Sequence, residues 1–176
     1  ARWTRCANSS RCPNRCRHCY IESSPQNDRL VYLSAAEVNE YLNEIENLAL
    51  GTKLIGFTGG EPFMNPALPA MLELALARGF RVLVLTNAMK PMAKSKDGLL
   101  ALRSRYGTRL ALRVSVDHYG QAVHELERGR LSWRATLEGL EWLSANGFRV
   151  DVATRRLSGE SEAELRAGFA RLFAER

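Results

Sequence analysis

The chain has 176 residues, 45% of them hydrophobic and 25% charged, the size and composition of one ordinary folded domain, which excludes a disordered or collagen-like polypeptide. Its apolar runs, such as residues 82–85, are far shorter than the ~20 apolar residues a membrane-spanning helix needs. Lysine and arginine number 25 against 19 acids, a net charge of +6 spread along the chain with no block of five like charges. That balance suits an anionic cofactor, an acidic protein or nucleic acid and does not choose among them.

The sequence opens on Ala1, and no signal-peptide apolar block follows Arg2-Trp3-Thr4-Arg5, so the native start is expected to lie elsewhere. All four cysteines, Cys6, Cys12, Cys16 and Cys19, fall in the first 19 residues. They are too clustered to staple the rest of the chain as a secreted disulfide framework does. They read as ligands in a reducing compartment, and the expected location is cytoplasmic.

A first strand is expected near residues 3–7. Ser34 with Glu37 forms a capping box, and Val38, Tyr41, Leu42, Ile45, Leu48 and Ala49 follow at helical spacing, which predicts a helix over residues 35–48. Residues 53–58 read as a strand. Asn65-Pro66 is expected to open a second helix that Gly79 closes, with Leu68, Met71, Leu72 and Ala75 as its buried stripe. A strand over 80–86, a helix over 95–106, a strand over 109–117, a helix over 133–145 and a strand over 148–155 follow. Ser161 and Glu164 repeat the capping box ahead of Leu165, Phe169, Leu172 and Phe173 in a final helix. Arg78-Gly79-Phe80-Arg81-Val82 is echoed by Asn146-Gly147-Phe148-Arg149-Val150, a spacing that suits two strand-helix units.

Alternating strands and helices on short loops predict an α/β domain with a parallel sheet covered by helices. About five strand-helix units fit, whereas a full eight-unit barrel takes ~250 residues, so a partial (β/α) barrel or an open sheet is expected. In the fourth strand Leu110, Leu112, Val114 and Val116 share one face, and Arg113, Ser115 and Asp117 share the other. Buried parallel strands are apolar on both faces, so the polar face is expected to look into a solvated or ligand-filled lumen. In the fifth, Phe148, Val150, Val152 and Thr154 alternate with Arg149, Asp151, Ala153 and Arg155 in the same way, which a solvent-exposed edge strand also explains.

Cys12-Pro13-Asn14-Arg15-Cys16-Arg17-His18-Cys19 places three thiols close enough for one loop to fold around a single metal centre. A structural zinc site closes with four ligands, the fourth from Cys6 or His18; an iron–sulfur cubane on three thiolates leaves one iron open to substrate or cofactor. The spacing alone allows both. A disulfide role is disfavoured because three clustered thiols leave one unpaired.

Cys-x3-Cys-x2-Cys after a first strand, with Gly59-Gly60-Glu61-Pro62 at the end of the second, resembles the radical S-adenosylmethionine (radical SAM) superfamily. Thr86-Asn87 after strand three and Ser115-Val116-Asp117 after strand four are similar to that family's cofactor contacts, so the resemblance runs along nearly the whole chain. It implies a [4Fe-4S] cluster on Cys12, Cys16 and Cys19. It also implies S-adenosylmethionine beside His18, Gly59, Gly60, Glu61, Asn87, Ser115 and Asp117. Glycines permit close backbone approach to the amino-acid end of the cofactor, Glu61 is expected to hold its amine, and Asn87, Ser115 and Asp117 offer polar partners to ribose. His18 stands where the family usually carries an aromatic residue and keeps a ring able to stack on adenine. Pro13 and Asn14 shift the family's usual asparagine by one place without moving a thiolate.

The implied reaction is reductive cleavage of S-adenosylmethionine to a 5′-deoxyadenosyl radical that abstracts hydrogen from an unspecified substrate, with a flavodoxin or ferredoxin as electron donor docking on the basic surface. Arg155 is a candidate for the cofactor carboxylate. His118, Tyr119, His124 and Glu125 follow strand four in a loop expected to face substrate, and His124-Glu125 lacks the second histidine of a metalloprotease helix. Trp133 and Trp142 are expected to pack in the core, and Cys6 to be a buried strand residue. No cysteine follows Cys19, so this chain alone builds no auxiliary cluster. Residues 1–176 are expected to be the radical SAM core, trimmed at its C-terminal end, or else a short variant whose open barrel edge another chain covers. The alternative reading is a noncatalytic zinc-binding module that holds nucleic acid.

Overall fold

A computed structural model describes residues 2–7, 11–19, 21–27, 29, 31–156 and 159–176, with residues 2–7 described by their backbone alone. The readings of Cys6 as a ligand or a buried residue therefore lie outside the described side chains. Five parallel strands, β1 (Arg2–Ala7), β2 (Thr52–Thr58), β3 (Arg81–Thr86), β4 (Leu110–Ser115) and β5 (Arg149–Ala153), pair in chain order in one sheet. The helices α1 (Ala35–Asn47), α2 (Leu68–Ala77), α3 (Lys90–Ala93), α4 (Lys96–Tyr106), α5 (Gln121–Arg128), α6 (Ser132–Ala145) and α7 (Glu162–Ala174) connect and follow them. This is a partial β/α barrel, open along β5.

Both predicted capping boxes form: Ser34 Oγ accepts from Glu37 N at α1, and Ser161 Oγ from Glu164 N at α7. The echoed glycines have a physical cause. Gly79 and Gly147 each follow a helix and precede a strand, at φ +86° and +69°, where a side chain is strained. Val82, Val84, Leu110, Leu112, Val114 and Val116 are buried beneath the helices. The opposite faces of β4 and β5 line the concave side, as their polar alternation predicts. Ser115 and Ala153 border a cavity at the C-terminal end, while Arg113 pairs with Asp151 at 3.2 Å toward the N-terminal end.

Three elements differ from the sequence expectation. Asn65-Pro66 does not open α2. Residues Pro62–Met64 form a short 3-10 turn, Asn65 Oδ1 accepts from Ala67 N at 2.9 Å and its amide donates to Leu33 O at 2.7 Å, so the helix begins at Leu68. A one-turn α3 carrying Pro91 precedes α4. The larger difference is α5, bracketed by Gly120 and Gly129, where a substrate-facing loop was expected. Its buried residues are His124 and Glu127 while Leu126 is exposed, so the apolar residues of this helix do not mark its buried face. Trp133 packs edge-on to His124, and Trp142 stacks at a tilt on Phe148, in keeping with packing roles.

Candidate active site

The strands of a parallel barrel end on one rim, and that is where the cysteine segment folds. β1 lies beside β2, with Ala7 paired to Thr58 next to Gly59-Gly60. Cys12 N donates to Ser24 O at 3.2 Å and Cys19 N to Cys16 O at 3.3 Å, which curls the segment on itself. Glu61 N donates to Arg11 O and Arg17 N to Glu127 O, both at 2.9 Å, which ties the loop to the tip of β2 on one side and to α5 on the other.

Cys12, Cys16 and Cys19 are free thiols, and all border one cavity of about 300 Å³ together with Gly59, Gly60 and Ser115. Among the described residues, no three His, Cys, Asp or Glu side chains form a cluster fit for a single metal ion. Burial pushes the Cys12 thiol up to about 12, with the neighbouring Glu61, Cys16 and Cys19 adding to the rise. Burial also raises Cys16, opposed by the charge of Arg128. Thiolates at Cys12 and Cys16 in this wall therefore require a compensating cation. The donors already aimed at them suit a sulfur-rich group: Asn14 N at Cys12, Ser23 N at Cys19 Sγ (3.2 Å) and Asn87 Nδ2 at Cys12 Sγ (3.8 Å).

Gly59 has φ +143°, a backbone conformation that other residues rarely adopt, and it faces the cavity with Gly60. Glu61 does not face it. Its carboxylate is buried and accepts from Phe63 N (3.2 Å), Thr86 Oγ1 (2.8 Å) and Asn87 N (2.8 Å). Burial raises it to about 7 against those hydrogen bonds. Rather than standing free for an amine, Glu61 braces the tips of β2 and β3. Asn87 borders the cavity and is anchored there: Oδ1 accepts from Met89 N, and its carbonyl from Thr136 Oγ1 of α6.

Asp117 borders the cavity, but its oxygens are taken by two arginines. Arg155 Nη2 lies 2.5 Å from Oδ2 and its Nε 3.1 Å from Oδ1, while Arg128 Nε lies 2.9 Å from Oδ2. Burial alone would raise this carboxyl; the Arg155 hydrogen bond and the Arg128 charge overcome it and hold Asp117 below its usual range. Arg155 also donates from Nη1 to His18 O at 2.8 Å, so it bolts the cysteine loop to the tip of β4. The His18 ring is exposed on the cavity rim and fixed by Nδ1 at 2.7 Å from the buried Glu127 carboxylate.

His118 and Tyr119 are used elsewhere. Both bond Glu160, His118 Nε2 at 2.8 Å and Tyr119 through its hydroxyl, and Gly120 N donates to His118 Nδ1. His124 is fully buried, and burial pushes its pKa down to about 4. Glu125 sits on α5 within reach of Gln121. None of the four borders the cavity. Residues that the sequence reading missed are Asn14, Ser23, Glu127, Arg128 and Thr154. The polar inward face of α5 was the available signal for Glu127 and Arg128, and the orphaned donors of the cysteine loop had none.

A parallel half-barrel whose strand tips and first loop gather three free thiols around a glycine-lined cavity places the chain in the β/α-barrel class, with its candidate site on the strand-tip rim. The model of the Radical SAM superfamily matches residues 9–165, and the chain belongs to that superfamily. It is 30% identical over 145 residues to the antilisterial bacteriocin subtilosin biosynthesis protein AlbA of Bacillus subtilis (81% of this chain, 30% of AlbA). It is 31% identical over 158 residues to GTP 3′,8-cyclase of Tolumonas auensis (88% of this chain, 44% of the relative). The chain thus spans less than half the length of these relatives. Streptococcus suis SuiB bound to S-adenosylmethionine shares the fold at TM-score 0.77 and 13% identity, covering 98% of this chain and 38% of SuiB. Methylornithine synthase (PylB) does so at 0.67 and 17%, covering 98% of this chain and 50% of PylB. No helix among the described residues is long and apolar enough to cross a membrane.

Proposed function

We propose that this domain binds a [4Fe-4S] cluster through Cys12, Cys16 and Cys19 and S-adenosylmethionine beside it, and starts a radical reaction on a substrate entering over the strand tips. The observation that carries this reading is the single cavity shared by three free thiols, the Gly59-Gly60 backbone and Ser115. When bound and reduced, the cluster supplies one electron to the sulfonium of S-adenosylmethionine, which breaks into methionine and the 5′-deoxyadenosyl radical that takes hydrogen from substrate. The cofactors carry that chemistry, and the protein's share is to bind, orient and shield.

In this reading Gly59 and Gly60 present main-chain polar groups to the amino-acid end of S-adenosylmethionine. Ser115 and Asn87 serve the ribose, and the His18 ring, held by Glu127, covers the adenine. Asp117 acts through its arginines, fixing Arg155 and through it the cysteine loop, and Glu61 holds Asn87 at the rim. The electron comes from an acidic carrier such as a flavodoxin or ferredoxin in a reducing, cytoplasmic setting. Nucleic acid is not required.

The test is anaerobic reconstitution with iron and sulfide. A brown protein that releases 5′-deoxyadenosine and methionine on reduction, and loses its iron in Cys12→Ala, supports the reading. A colourless protein that retains zinc instead and binds nucleic acid in a salt-sensitive way overturns it.

A further inference from the structure

Two donors in the cysteine loop are sealed in the wall of the cavity with nothing to donate to. Asn14 and Ser23 are each 6% exposed, both border the cavity, and Asn14 Nδ2 and Ser23 Oγ have no hydrogen-bond partner among the described residues. A buried amide or hydroxyl without a partner forfeits its hydration with nothing in return. Two in one short loop point to an acceptor that belongs between them.

We infer that the Asn14 side-chain amide and the Ser23 hydroxyl donate hydrogen bonds to the sulfurs of the bound cluster and raise its reduction potential. This rests on the cluster reading above. The acceptor is assigned to the cluster because the backbones of both residues already address its thiolates: Asn14 N bonds Cys12, and Ser23 N lies 3.2 Å from Cys19 Sγ. The two side chains extend the same donor shell. Asn87, at the tip of β3, also reaches these sulfurs, with Nδ2 3.8 Å from Cys12 Sγ. Donors to cluster sulfur stabilise the more negative, reduced state and so set the potential. Without them an incoming electron is harder to accept.

The variants are Asn14→Leu, which keeps the side-chain size and removes the amide, and Ser23→Ala, which removes only a hydroxyl. Ser24→Ala is the control, since Ser24 Oγ accepts from Gln26 N in an exposed turn and does not border the cavity. Reconstituted proteins are titrated by electron paramagnetic resonance without S-adenosylmethionine. Each variant is expected to hold a roughly three- to tenfold smaller reduced-to-oxidised ratio at a fixed potential, tenfold being 59 mV for one electron, with no change in Ser24→Ala. Exchangeable proton couplings seen by electron–nuclear double resonance in the parent should weaken in each variant. Unchanged potentials in a loaded Ser23→Ala protein overturn the inference and leave the cluster reading standing, as does a defect that appears only in S-adenosylmethionine affinity. A parent protein that takes up no cluster overturns the reading beneath it.

Discussion

Glu61→Gln isolates the stability carried by the brace beneath the active site. In the folded chain the Glu61 carboxyl is buried to 2% exposure and raised from 4.5 to about 7 by burial, which outweighs the donors from Phe63, Thr86 and Asn87. Because the folded value is the higher one, the folded state binds a proton that the unfolded chain has released. The contribution is therefore fully present below pH 4.5 and is lost as pH rises through about 7. A difference of that size corresponds to about 3 kcal/mol. Glutamine keeps the volume and one acceptor oxygen but does not titrate. The parent should thus lose about 3 kcal/mol relative to Glu61→Gln between acid and about pH 8.5. That is a relative urea midpoint change of about 1–3 M at the slopes of small proteins. Urea unfolding of both metal-free proteins, anaerobic and reduced, at stepped pH reads it directly. A gap between parent and variant that stays constant across that range would show that Glu61 ionises as freely folded as unfolded, and the argument that burial outweighs its three donors would fail.

Gly139→Ala places a Cβ 1.9 Å from the Ala88 carbonyl oxygen, so α6 must back away from the turn after β3. The expected cost is about 1–3 kcal/mol by thermal or urea unfolding, with looser S-adenosylmethionine binding because Asn87 rides on that turn. Glu127→Ala removes the anchor of His18, a charge-assisted bond of about 1.5–3 kcal/mol, and in metal-free protein Cys16 and Cys19 should be alkylated about tenfold faster, with Glu127→Gln largely restoring protection. Asp117→Asn leaves Arg155 and Arg128 facing a neutral amide and should cost about 3–5 kcal/mol. It should also remove the part of acid unfolding that sets in as pH falls below 3.8 through the depressed folded value. Gly168→Ala sets a Cβ 2.3 Å from the Tyr119 ring and should lower the unfolding midpoint, without altering cluster uptake.

How far the sequence reaches is set by which interactions leave a period or a motif. Strands β2 to β5 and helices α1, α6 and α7 were legible because burial of apolar side chains repeats along each element and Ser34 and Ser161 announce two helix starts. The three thiols and the paired glycines were legible because a ligand-holding loop and a close backbone approach restrict residue type at fixed spacing. Partner choice among polar side chains leaves no such trace. Glu61 reads as a free carboxylate beside two glycines, yet its partners, Thr86 and Asn87, come from 25 and 26 residues away and turn it inward.

Helix α5 makes the same point at the level of a whole element. It buries Glu127 and points Leu126 at solvent, because its inner neighbours include the cysteine loop and the rim of the site as well as Trp133 of α6. A helix that packs on a polar site must invert the usual pattern, and its glycine brackets, Gly120 and Gly129, are then its clearest marks. In a half-barrel of this kind, a short glycine-flanked segment after a strand with acidic and basic residues at its end is better read as a helix braced against the site than as an open loop. Glu127 and Arg128, adjacent in sequence, reach the His18 ring and the Asp117 carboxylate, two neighbouring groups on the rim of one cavity, which a flexible loop would not hold together.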